Sequence, residues 1–139
     1  MKAFVAVLIA VGLALGVYAV IGANDARVSG LAQQLADIAE EGNSHLPMMV
    51  DAQTRLDSMV ASSDTFEYAY TLVGHSADQV NREAFEAAIR PYLTTSLCSS
   101  EDNELFRAND LNVVYTYYAS DGDRVASIAI PTSVCNAAA

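Results

Sequence analysis

The chain has 139 residues, with 17 acidic against 7 basic side chains and a formal net charge of −10. That balance excludes a nucleic-acid binder, because phosphate contacts need clustered Lys and Arg, and here Lys2 is the only lysine and the arginines are scattered. It also disfavours flat contact with anionic lipid headgroups, and the length allows one compact domain beyond an N-terminal segment.

From Ala3 to Ala23 no residue carries a charge. As a helix rising about 1.5 Å per residue, this run spans about 31 Å, the thickness of a bilayer core. Lys2 precedes it, and Asn24 and Asp25 follow. Positive-inside bias then leaves the N-terminus in the cytoplasm and sends the rest to the periplasm of a bacterial cell. A cleaved signal peptide is the competing reading, with Val17–Tyr18–Ala19 as a cut site and Ile21–Gly22–Ala23 as a poorer one. The run is longer than a usual signal core, so we expect residues 1–25 to remain as a single-pass inner-membrane anchor. Lipoprotein processing is closed to this chain, because no cysteine stands near the end of the run. Gly12 and Gly16 form a GxxxG that would pair two anchors into a homodimer. In an Ala/Gly-rich run such spacing also arises by chance.

Residues 26–44 read as a membrane-proximal helix and residues 45–139 as an α+β periplasmic domain. Val28, Leu31, Leu35 and Ile38 recur at helical spacing, and Gly42–Asn43 is a stop. Pro47 makes His45–Met49 a connector. The stretch VDAQTRLDSMV alternates by twos, with Val50, Ala52, Thr54, Leu56 and Val60 on one face and Asp51, Gln53, Arg55 and Asp57 on the other. FEYAYTLV follows after a short polar turn, which predicts a hairpin.

The main helix is expected to be capped by Ser76 or Asp78, to bury Val80, Ala84, Phe85, Ala88, Ile89, Leu93 and Leu97, and to kink or restart at Pro91. A short helix after Ser100 adds Leu105 and Phe106 to the core. LNVVYTYY and RVASIAI are the last strands, joined through Asp121–Gly122, the strongest hairpin signal in the chain. Two hairpins with helices between them predict an α+β fold with an antiparallel sheet of about four strands.

Cys98 and Cys135 are the two cysteines. Outside the cytoplasm such a pair is expected to form a disulfide. Closing a loop of about 37 residues is worth about 4 kcal/mol by chain entropy.

No catalytic constellation is visible. His45 and His75 are far apart in sequence, no GxSxG or HExxH occurs, and the glycines form no phosphate loop. Hence no metal and no cofactor are expected. Asp51 and Asp57 flank Arg55 on the polar strand face, where paired carboxylates could do acid–base work but more often form a solvated row with an internal ion pair. SSEDNE lacks the EF-hand pattern and reads better as acids at a helix start. Tyr68, Tyr70, Tyr115, Tyr117 and Tyr118 lie on strands, either filling the core or forming an exposed aromatic face. Tyr118 is out of phase with Tyr115 and Tyr117, which makes it the best surface candidate.

Taken in order, LPMMVDAQTRLDS, FEYAYTLVGHSA, IRPYLTTSLC and VVYTYYASDGDRVASIAI followed by a cysteine resemble a group of small exported bacterial proteins of unknown function. The likeness spans about residues 45–135. More faintly, the layout is similar to the disulfide-bearing periplasmic domains of type II secretion pilotins and quorum-sensing-regulated virulence factors. Pilotins are typically lipid-anchored, and this chain has no lipobox cysteine. The expected function is therefore non-enzymatic: a membrane-anchored periplasmic domain that binds another cell-envelope protein, with Arg55, Asp51, Asp57 and Tyr118 as contact residues. The alternatives are a small envelope enzyme or ligand-binding protein using Asp51, Asp57 or His75 in a cleft, and an immunity or inhibitor protein whose acidity matches a basic target.

Overall fold

The computed structural model describes residues 26–137, and among these no helix is long and apolar enough to cross a membrane. The expected anchor and the Gly12/Gly16 pairing lie outside the described residues. Helix α1 (Ala26–Asn43) leads into β1 (Met48–Met49), β2 (Thr54–Ala61) and β3 (Thr65–Leu72). Helix α2 (Arg82–Ser99) and the short α3 (Glu104–Ala108) follow, then β4 (Asn112–Ala119), β5 (Arg124–Pro131) and a terminal turn of helix, α4 (Val134–Ala137). The strands form one sheet in the order β1-β2-β3-β4-β5.

Both expected hairpins form, β2 against β3 and β4 against β5. Gly122 takes φ +93° in the second turn, a conformation that glycine adopts without strain. The sheet as a whole is mixed and five-stranded, not antiparallel and four-stranded. β3 and β4 run parallel, with Tyr68 beside Tyr115 and Tyr70 beside Tyr117. The reason is the connection: the chain leaves β3, returns through α2 and α3, and re-enters at the same end of the sheet, as a helical crossover requires. The additional strand, β1, pairs Met48 with Leu56 and Met49 with Arg55. It was hidden because Val50–Gln53 is a turn rather than the start of β2. The Asp51 Oδ1 accepts from the Gln53 and Thr54 N–H groups, both at 2.8 Å, an Asx turn that stops the strand.

A bulge corrects the face assignment in β2. The register slips between Leu56 and Ser58, leaving Asp57 as the extra residue. Every later side chain changes face. Met59 is therefore buried and Val60 is 57% exposed, the reverse of strict alternation.

The helices gather on one face of the sheet. Leu35, Ile38 and Ala39 of α1 join Leu56, Met59 and Phe66 in the core, and Asn43 fixes the helix end by accepting from the Met59 N–H at 2.8 Å and donating to the Met59 carbonyl at 2.9 Å. Gly42 allows this approach: a Cβ there would lie 2.4 Å from the Met59 Sδ.

Asn81, not Ser76 or Asp78, caps α2, its side chain accepting from the Ala84 N–H at 2.9 Å. Ser76 instead begins a separate 3₁₀ turn over Ala77–Gln79. The helix runs on through Pro91 without restarting. Pro91 and Ala87 are both exposed, so water can take the Ala87 carbonyl that the missing N–H leaves open. Ala84 and Ala88 are exposed too, which narrows the buried stripe to Leu93 and Leu97, with Phe85 and Ile89 half-buried. At the far end of α2, Arg107 donates to the carbonyls of Leu97 at 2.8 Å and Ser100 at 2.7 Å, satisfying acceptors that a helix C-terminus leaves orphaned. Cys98 and Cys135 are joined, with Cα atoms 5.2 Å apart, so the chain end is tied to the last turn of α2.

Candidate binding cleft

The uneven burial along α2 has a geometric cause. Leu97 and Leu93 are buried on the sheet, whereas Phe85 and Ile89 pack against the core only partly and, with Leu93, line a cleft. Between helix and sheet lies a cleft of about 230 Å³. Its floor is four tyrosines contributed by the alternation of β3 and β4: Tyr68, Tyr70, Tyr115 and Tyr117. Parallel pairing puts these rings side by side, Tyr70 on Tyr117 at 4.8 Å between centroids and Tyr68 on Tyr115 at 5.6 Å. Phe85 of α2 meets Tyr117 edge-on at 5.0 Å, the tilted arrangement that ring quadrupoles favour. Tyr92, 61% exposed, stands on the α2 side of the cleft.

Asp51 and Asp102 also line the cleft, and among the described residues no Lys, Arg or His does. The Asp102 Oδ1 is buried and finds no hydrogen-bond donor among the described residues. The other oxygen, Oδ2, accepts from the Ser100 hydroxyl at 3.3 Å. Burial pushes the phenols of Tyr68, Tyr70, Tyr115 and Tyr117 well above the usual tyrosine range. Neighbouring groups add to this: Tyr115 and then Asp102 for Tyr68, and Tyr115, Asp51 and Tyr92 for Tyr117. The floor therefore presents neutral hydroxyls at any physiological pH.

Among the described residues, no helix covers the opposite face of the sheet. Arg55 contacts Asp57 at 2.5 Å between Nε and Oδ1, and the Thr71 hydroxyl donates to the other Asp57 oxygen. Tyr118 lies beside Thr71 on the neighbouring strand. One step along, the Thr116 hydroxyl donates to Glu67 at 2.8 Å. Arg55, Asp57 and Tyr118 thus share the open face, and the bulge changes the face only of the residues after Asp57. Asp51 does not join them: it sits in the turn before β2, at the cleft on the other face. The five tyrosines divide four to one, and only Tyr118 is on the open side.

The carboxylates and histidine of the enzyme reading are dispersed. Asp57 faces away from the cleft, and His75 is not among the residues lining it; the His75 carbonyl accepts from the Ser120 N–H at 2.8 Å. His45 pairs with Glu41 at 3.5 Å on the surface. Among the described residues no three His, Cys, Asp or Glu side chains group as metal ligands. What the sequence did not disclose was the cleft itself. The alternation Tyr68/Tyr70 and Tyr115/Tyr117 was legible, but that two rows would adjoin beneath a helix held off the sheet depended on the crossover.

Residues 30–126 match a protein family described as a domain of unknown function, DUF8479. A curated Escherichia coli protein named Protein K is 29% identical over 104 residues, 71% of this chain and 53% of that protein. The chain therefore spans about half the length of the curated relative it matches. Among solved structures, a Pseudomonas aeruginosa protein classed as secreted superposes with a TM-score of 0.64 at 15% identity, covering 82% of this chain and 99% of that one. The pilotin EpsS of the Vibrio vulnificus type 2 secretion system gives 0.62 at 11% identity, over 81% of this chain and 97% of its own. The Vibrio cholerae type II secretion pilotin AspS gives 0.59 at 14% identity, over 82% and 100%. The fold is thus a pilotin-like α+β fold, as the faint resemblance in layout implies.

Proposed function

The chain belongs to the family described as a domain of unknown function, DUF8479, and from its geometry we propose that it is a non-enzymatic, exported domain that binds another protein of the cell envelope. The observation that carries this reading is the cleft. It is concave, its floor is aromatic, and it is fringed by a few polar groups, which is the composition of a binding site. The carboxylates and histidine that acid–base chemistry would need are spread over both faces of the sheet. Two solved neighbours serve type II secretion systems, so the fold is one used in the envelope. In this reading the uncharged run 3–23 holds the domain at the inner membrane, residues 26–44 form the proximal helix, and residues 45–139 work in the periplasm.

The open face offers a second contact surface, favoured by the adjoining Arg55, Asp57, Thr71 and Tyr118. Photo-crosslinking in cells separates the two. A crosslinking residue at position 92, in the cleft, is expected to trap one abundant envelope protein, whereas the same residue at position 127, on the open face, traps none. Trapping at 127 alone would transfer the partner to the open face, and Tyr118→Ala or Arg55→Ala should then weaken capture. Trapping at neither position would overturn the binding role.

A further inference from the structure

The cleft has a marked chemical character beyond its shape. Its lining includes two carboxylates, Asp51 and Asp102, and no basic side chain among the described residues. One carboxylate oxygen, the Asp102 Oδ1, is buried without a donor among the described residues. A buried acceptor in that state costs free energy that an incoming N–H donor can return. Four tyrosines, whose ring faces attract cations, lie on the floor among aliphatic side chains such as Leu56 and Leu72. A neutral apolar side chain would fill the space but leave Asp102 unanswered. An anion would meet two like charges and no counter-charge. A guanidinium answers each feature: it is planar, stacks on aromatic rings, presents several N–H donors, and is held on an apolar stem.

We propose that the cleft takes an arginine side chain presented by the envelope partner, its charge balanced by Asp51 and Asp102 and its stem laid on the tyrosine floor. The proposal rests on the reading of the cleft as the partner's site and names the chemistry recognised there. Asp51 serves two ends, since the same carboxylate that closes the turn before β2 also faces the cleft. The net charge of −10 would add long-range attraction for a basic segment.

The test uses the full chain in non-ionic detergent and two tripeptide amides, acetyl-leucyl-arginyl-leucinamide and its citrulline counterpart, which is nearly isosteric and uncharged. The chain has no tryptophan, so tyrosine emission reports binding. The arginine peptide is expected to bind at least tenfold more tightly than the citrulline peptide in 20 mM salt. That ratio should fall at least threefold in 500 mM salt. Asp51→Asn and Asp102→Asn each keep a carbonyl oxygen for the local hydrogen bonds, and together they should bring the ratio close to one. Circular dichroism checks that both variants fold; should either fail to, the salt series on the native chain decides. Equal binding of the two peptides, binding of neither, or a preference that survives the double substitution would overturn the proposal. Such a result would leave the crosslinks at position 92 intact. Loss of those crosslinks with the arginine preference retained would instead overturn the partner reading.

Discussion

The two faces of the sheet are built from the same strands, yet they differ in almost every physical respect. The covered face holds Phe66, Tyr68, Val113, Tyr115 and Ile128 under helices. The open face holds Tyr118 beside two side-chain hydrogen-bonded groups, Arg55–Asp57–Thr71 and Thr116–Glu67. Alternation along a strand separates two chemistries by one residue, and what each face does depends on what is laid over it. Where α2 lies close, the result is a core. Where α2 stands off, the same row of tyrosines becomes the floor of a cleft.

The covered face is most vulnerable where the disulfide ties α2 to the chain end. Replacing Cys98 and Cys135 by serine should cost about 4 kcal/mol, read as a lower urea midpoint, because the cross-link no longer limits the unfolded chain. Leu97, fully buried beneath the closed half of α2, should lose about 3 kcal/mol on change to alanine. An equal substitution at Ile89, over the cleft, should cost clearly less. Equal losses at the two positions would mean that α2 packs evenly along its length.

Arg107→Met removes both hydrogen bonds that one guanidinium nitrogen donates to the end of α2 and should cost about 2 kcal/mol. Thermal melts would show it, and no change in melting temperature would contradict the capping role. Alkaline titration sharpens the contrast between faces. The raised phenols of Tyr68, Tyr70, Tyr115 and Tyr117 favour the folded state below about pH 10, where unfolded tyrosine is still protonated. Above that, the unfolded chain releases protons that the fold retains, so stability should fall as pH rises. Urea midpoints unchanged between pH 9 and pH 11 would refute that account. The smallest effect is expected on the open face: Asp57→Ala removes a partly exposed ion pair and should cost less than about 1 kcal/mol. A larger loss would show that the bulge depends on Asp57.

Much of this architecture was legible beforehand. The Asp121–Gly122 turn, the Ser62–Asp64 turn and the alternation of β3 and β4 are local, so each hairpin could be drawn from its own residues. The cysteines could be paired because there are only two. Other features were not local. Asp51 reads as a strand residue until its side chain is seen closing a turn. Val60 reads as buried until the bulge at Asp57 turns it outward. Alternation already put Arg55 and Asp57 on one face, but that Tyr118 joins them, with Asp51 left on the other face, followed from the register.

The acidic α+β character of the chain, its strand and helix segments, its two hairpins and its disulfide could be read from the sequence. Those depend on residue periodicity, turn chemistry and cysteine number, which neighbouring residues specify. Only the packed chain shows that β3 and β4 run parallel, that β1 joins the sheet, that the β2 register slips, and that four tyrosines floor a cleft beneath α2. Each of these depends on where a distant segment returns, and that is set by the packing of the whole chain rather than by the residues at the site.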